Sequence, residues 1–159
     1  VGFPMNPIFY PSFYSQHAFS NLRLELQAVN ALRNAGFEVW YKAHPDRLKE
    51  VGGIFESRVD RFLTTSFESV CHEADCIVYG HSRSTTFGYS LLTRLPIVLI
   101  NVDDITWDTR ALKLVNKRCR VVDATYKNGM IEYSTEALVD AVKSSLYPIN
   151  YDVVQEFAL

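Results

Sequence analysis

The chain predicts an α/β fold organised as a doubly wound parallel sheet, and three observations carry that reading. Apolar stretches of strand length alternate with amphipathic stretches of helix length along the whole sequence. One of them, residues 96–102, is apolar at nearly every position. Such a strand is buried on both faces, which calls for parallel neighbours with helices on either side. The alternation then forces right-handed crossovers between successive strands. A length of 159 residues and a hydrophobic content of 48% suit one compact domain spanning residues 1–159.

Each element has its own signal. Residues 1–5 predict a first strand, and residues 6–19 a loop rich in aromatics and prolines, with Phe9, Tyr10, Phe13 and Tyr14 exposed to cover a cleft or a neighbouring domain. Leu22, Leu24, Leu26, Val29 and Leu32 recur at mostly helical spacing, with Ser20 placed as the cap and Gly36 as the stop, so residues 21–35 predict a helix. Residues 37–43 are aromatic and β-branched and end before Pro45, which predicts a strand closing near His44. A polar stretch with Gly52 and Gly53 follows, and then Thr65 stands three residues before Glu68 as in a capping box, opening a short helix to about Ala74.

Further strands are predicted at residues 76–79, 96–102 and 120–124, and helices at residues 86–94, 107–117 and 134–146, with Pro148 closing the last. The tail, residues 150–159, packs back on the domain or onto a partner domain. About five strands and five helices make a Rossmann-like sandwich. A start at Val1 that leads directly into a strand predicts a domain excised from a larger protein.

Composition excludes several classes. A net charge of −2 and a pI near 6.1 supply no basic field for nucleic acid. No apolar run reaches the roughly 20 residues of a membrane span, so the expectation is a soluble, cytoplasmic protein without a transmembrane segment. Cys71, Cys76 and Cys119 lack the two-residue gap of zinc sites, which predicts no metal and three packed thiols. The motifs GxGxxG, GxxxxGK[ST] and GxSxG are absent, which argues against dehydrogenases, P-loop kinases and serine hydrolases.

In open parallel sheets ligands bind beyond the carboxyl ends of the strands, and two segments fall there. The first runs Lys42-Ala43-His44-Pro45-Asp46-Arg47. The second is Gly80 followed by His81, Ser82, Arg83, Ser84, Thr85 and Thr86 at a helix start. Free amides at a helix N-terminus, short hydroxyls and an arginine together suit a phosphate. The plainer reading is a helix cap, but a cap needs one hydroxyl and this loop has four. Candidate phosphate-binding residues are therefore His44, Ser82, Arg83, Ser84, Thr85 and Thr86, with Lys42, Arg47, His81, Asp103 and Asp104 as secondary candidates. The two aspartates serve equally well as caps of the helix near Trp107. His17 and His72 carry less weight, and no catalytic residue is assigned.

The order Lys-Ala-His-Pro at a strand end, Ala-Asp-Cys-Ile-Val, a Ser/Thr cluster and Leu-Pro-Ile-Val-Leu-Ile resembles the C-terminal domain of GT-B glycosyltransferases. Within that group it is most similar to bacterial surface-polysaccharide enzymes that use cytidine nucleotides: CDP-glycerol glycerophosphotransferases, sialyltransferases and Kdo transferases. The resemblance spans roughly residues 37–102. It implies one half of a GT-B fold, with His44-Pro45 and Ser84-Thr85 on the donor's phosphate and ribose. It implies a nucleotide-activated donor as substrate, CMP- or CDP-linked rather than UDP-linked, and no cofactor. It further implies an N-terminal acceptor domain and peripheral association of the full enzyme with the inner face of the membrane.

Two departures narrow the resemblance. Phe87, Gly88, Tyr89 and Ser90 stand where many GT-B enzymes carry a ribose-binding glutamate, and Tyr89 stands where the glycerophosphotransferases carry an acidic residue. A sugar-nucleotide 2-epimerase of the same fold and a non-catalytic flavodoxin-like module are the alternatives.

Overall fold

The computed structural model describes residues 11–103, 106–145 and 152–157. It is a mixed α/β structure whose strands fall into two hydrogen-bonded sheets. β1 (Trp40–Lys42) pairs in parallel with β2 (Arg61–Leu63). The larger sheet has the order β3 (Ile77–Tyr79), β4 (Ile97–Val102), β5 (Arg120–Lys127), β6 (Met130–Tyr133). Its first three strands are parallel and β6 is antiparallel to β5.

β4 is buried on both faces, as its unbroken apolar run predicts. Val98, Ile100 and Val102 face one core with Leu24, Leu32, Val122, Leu138 and Val142. Ile97 and Leu99 face the other with Tyr79, Phe87, Leu91, Val115 and Cys119. Helices α1 (Pro11–Asn34) and α6 (Thr135–Ser145) cover the first face, and α4 (Thr85–Leu91) and α5 (Thr109–Arg118) the second. A mainly aliphatic cavity of about 360 Å³ lies between β1 and β3 against α1.

Several elements depart from the sequence expectations. The loop predicted over residues 6–19 gives way to helix from Pro11, a residue whose missing amide and fixed φ suit a first helical position. Ser20 is therefore not a cap. It sits within the helix, 1% exposed, and its Oγ accepts the Ile131 amide at 2.8 Å, fastening α1 to β6. Ser20→Ala is expected to destabilise the fold by about 1–3 kcal/mol, since a buried amide loses its acceptor, and a shift of the urea midpoint at constant slope would measure it.

The polar stretch with Gly52 and Gly53 contains helix α2 (Leu48–Phe55), which buries Val51 and Phe55. Phe55 stacks on Tyr41 of β1 with ring centroids 4.0 Å apart. The burial of two large side chains outweighs the weak helix propensity of the glycines. Asn128 and Gly129 both take positive φ, 52° and 79°, in the two-residue turn that reverses β5 into β6, so the sheet is not strictly parallel. The capping box predicted at Thr65 does not form; Ser66 precedes α3 (Phe67–Val70) and makes no side-chain cap. Gly36 ends α1 with φ of 88°, as expected of a helix stop.

The expected strand over residues 1–5 and the exposed aromatics Phe9, Tyr10, Phe13 and Tyr14 lie outside the residues whose side chains are described. In the tail, α7 (Asp152–Glu156) packs back on α5, burying Val153. Among the described residues no helix is long and apolar enough to cross a membrane.

Candidate anion-binding site

The ends of β1 and β3 carry the two polar segments singled out in the sequence, and neighbouring contacts decide where those segments point. At the first, the fully buried Ala43 donates its amide to the Leu63 carbonyl at 3.1 Å. That bond sets the residues after β2 beside those after β1. Pro45 then opens a three-residue 3-10 turn, Pro45–Arg47, with His44 at its N-cap. The Asp46 amide donates to His44 Nδ1 at 3.3 Å. An Nδ1 that accepts a hydrogen bond puts the imidazole proton on Nε2. On protonation Nδ1 faces the Asp46 carboxylate at 3.7 Å, and Nε2 still carries a proton. His44 is therefore a donor at Nε2 in both states.

At the second segment, Ser84 is the N-cap of α4, its Oγ accepting the Phe87 amide at 3.1 Å. Ser84 and Thr86 share one hydrogen bond at 3.0 Å, which occupies one of their two hydroxyl protons and leaves the other. Tyr79, fully buried at the end of β3, donates to the Thr86 carbonyl at 2.9 Å and lies 2.7 Å from Ser90 Oγ. Burial pushes the Tyr79 hydroxyl up to about 12, so it stays protonated and ties α4 to the strand end.

A cavity of about 560 Å³ opens between these segments. One wall is Lys42, Ala43, His44 and Pro45; the opposite wall is Arg83, Ser84, Thr85 and Thr86. A third wall comes from the β2–α3 connection and the first turn of α3, with Thr64, Thr65, Ser66 and Glu68. Phe67 seats that connection by packing edge-on to Tyr89 with centroids 6.2 Å apart. Lys42 donates from Nζ to the Ala43 carbonyl. Burial holds its pKa below the ordinary lysine value of 10.5, and the Glu68 carboxylate works in the opposite direction. Two cations, an imidazole donor, hydroxyls and one carboxylate thus meet in a single pocket.

Of the sequence candidates, the cavity brings together Lys42, His44, Pro45, Arg83, Ser84, Thr85 and Thr86. Ser82 is not on its walls. Arg47 turns away into the interior, 2% exposed, and pairs with Glu25 at 3.1 Å. His81 is buried at 6% exposure and does not line the cavity. Asp103 extends the β4–β5 pairing: its amide donates to the Ala124 carbonyl at 3.0 Å and its Oδ1 accepts the Tyr126 amide at 2.7 Å. The cap of α5 is Asp108 rather than either predicted aspartate, and Asp104 lies outside the described residues. The wall at Thr64–Glu68 was missed because its only sequence signal, Thr65 and Glu68 at capping-box spacing, pointed to a helix start. Among the described residues no three His, Cys, Asp or Glu side chains gather as a metal site.

Neither a family model, nor a curated protein, nor a solved structure matches the chain.

Proposed function

We propose that the cavity holds the phosphate and ribose of a nucleotide-activated donor, and that the chain is the donor-binding domain of a glycosyltransferase-like enzyme of bacterial surface-polysaccharide synthesis. The observation that carries this reading is the convergence of Lys42, His44, Arg83 and the Ser84–Thr86 hydroxyls on one pocket. Phosphate oxygens accept from all of these donor types, and donors that meet a developing negative charge stabilise a leaving phosphate. Glu68 is the carboxylate acceptor in the pocket, suited to the paired hydroxyls of a ribose. It supplies from a different wall the carboxylate that is missing at Phe87–Ser90.

The rest of the reading follows from the sequence resemblance. The donor is CMP- or CDP-linked, and a sugar or glycerophosphate is displaced from the nucleotide by an acceptor hydroxyl. The acceptor comes from a second domain across the cleft, at the cytoplasmic face of a membrane. The two sheets are taken as the halves of one doubly wound, mainly parallel sheet.

Calorimetry on the full-length protein tests the proposal. CMP and CDP are expected to bind more tightly than UDP, and His44→Ala and Thr85→Val each to weaken binding by about 1–3 kcal/mol through a lost hydrogen bond to a charged group. Thr85 is chosen because Ser84 also caps α4, so Ser84→Ala costs about 1 kcal/mol of stability besides any ligand contact. If neither nucleotide nor inorganic phosphate binds, the proposal falls. That same cap supports a second reading, a non-catalytic flavodoxin-like module in which the Ser84 hydroxyl serves only the helix; unchanged phosphate affinity in Thr85→Val and His44→Ala would favour it. Tighter UDP binding with an epimerised sugar as product would indicate the 2-epimerase.

A further inference from the structure

One buried charge pair stands behind the cavity without lining it. Glu25 on α1 is 8% exposed and Arg47 2%. Arg47 Nη1 donates to Glu25 Oε1 at 3.1 Å and lies 3.4 Å from Oε2. Tyr41 of β1 donates its hydroxyl to Oε2 at 2.8 Å. Arg47 Nε faces the Glu50 carboxylate at 3.6 Å, close enough for attraction and beyond a hydrogen bond. Arg47 is also the last residue of the turn that begins at His44, and its amide donates to the His44 carbonyl at 2.9 Å. A chain of short bonds thus runs from α1 through Glu25 and Arg47 to the residue that faces the cavity.

Stability does not account for this arrangement. The desolvation of two buried charges costs about as much as their attraction returns, and an apolar pair of similar volume would hold α1 against the turn equally well. What charged partners add over methyl groups is direction, because a guanidinium and a phenol satisfy one carboxylate only within a narrow range of distances and angles. The geometry points to Glu25 and Arg47 as positioning residues for His44: they fix the turn so that the Nε2 proton enters the anion cavity. The ligand arm of this inference rests on the phosphate reading of the cavity, whereas the histidine arm stands apart from it.

The test uses the full-length protein with Glu25→Leu and Arg47→Met combined, so that neither charge is left alone, and Arg47→Lys as the conservative variant. Three quantities are read: the thermal midpoint, the imidazole nitrogen shifts of His44 assigned by their loss in His44→Gln, and CMP affinity. The double variant is expected to melt within about 10 °C of the wild type, the loss coming from the buried Tyr41 hydroxyl that gives up its acceptor. Its His44 nitrogens should move towards the values of a tautomer-averaged imidazole, and CMP affinity should fall about tenfold. Arg47→Lys should recover part of both. Wild-type His44 shifts in a folded double variant would overturn the inference. Should that variant fail to fold, Glu25→Gln, which keeps the shape and removes the charge, is judged by the same His44 shifts. If CMP binds to none of the proteins, the phosphate reading fails, and the His44 shifts still decide the positioning role.

Discussion

Arg118→Met is expected to lower stability by roughly 3–5 kcal/mol, which for a domain of this size corresponds to a fall in melting temperature of about 6–20 °C. The side chain is 2% exposed and reaches from the end of α5 to the end of α4. Its Nε donates to the Leu91 carbonyl at 3.1 Å, and Nη2 to the carbonyls of Ser90, Thr93 and Leu95 at 3.1, 2.8 and 2.8 Å. Helix C-termini leave carbonyls without partners and carry partial negative charge, so a buried cation with a planar fork of donors serves that end well. Methionine fills similar space and donates nothing, which leaves the Leu91, Thr93 and Leu95 carbonyls short of a partner, while Ser90 keeps the Thr93 amide and hydroxyl as donors. Arg118→Lys, with a single ammonium in place of the fork, should recover less than half of the loss. Arg110→Met on the exposed side of α5 should change stability by less than about 0.5 kcal/mol. Urea unfolding of the three variants at constant slope checks the ranking; equal midpoints for Arg118→Met and Arg110→Met would mean that the carbonyl clamp contributes nothing.

The consequence for the cavity is indirect. Tyr79 ties the start of α4 to β3 and Arg118 ties its end to α5, so Ser84, Thr85 and Thr86 are held from both ends of one short helix. That double fastening was not legible in the sequence, because an arginine in a helix's last turn reads as a solvated charge. Burial of Arg47 and Arg118 depends on which elements pack over them, and residue type alone points the other way.

What could be read was what local chemistry enforces. The run from Ile97 to Val102 identified a strand with two buried faces, Gly36 marked a helix end that needs positive φ, and Pro45 stopped the strand before it. The placing of the His44 and Ser84 segments on one side followed from the rule that strand ends share an edge. Elements held by tertiary contacts escaped. Helix α2 forms despite Gly52 and Gly53 because Phe55 stacks on Tyr41, and β2 is three residues long with little pattern of its own. The Asn128-Gly129 turn is a different case. Its two positive-φ residues are the strongest short-range hairpin signal, whereas strict alternation of strand and helix leaves no place for a hairpin. With β2 missed, the third wall of the cavity and its Glu68 went with it.

Lys42→Met is expected to weaken phosphate or nucleotide binding by about 1.5–3 kcal/mol at neutral pH, a loss of roughly ten- to a hundredfold, since it removes a charged donor from an anion site. The effect carries a pH signature. Burial disfavours the ammonium, so in the free protein Lys42 titrates below 10.5, with Glu68 opposing the shift. A group whose folded pKa is lowered places its cost on the folded state at low pH, and that cost is relieved as pH rises from the folded towards the unfolded value. Lys42→Met should for this reason cost little stability at neutral pH even as it costs affinity. A bound phosphate favours the ammonium and raises the pKa again, so binding takes up a proton in the window between the free and bound values. Affinity should decline as pH rises through that window, earlier than an ordinary lysine would allow, and Lys42→Met should flatten the alkaline limb. Calorimetry in buffers of different ionisation enthalpy reads the proton uptake directly. A wild-type affinity that holds constant up to pH 10.5, or an alkaline limb that survives in Lys42→Met, would place the anion away from this lysine and shift the assignment to Arg83 and the α4 hydroxyls.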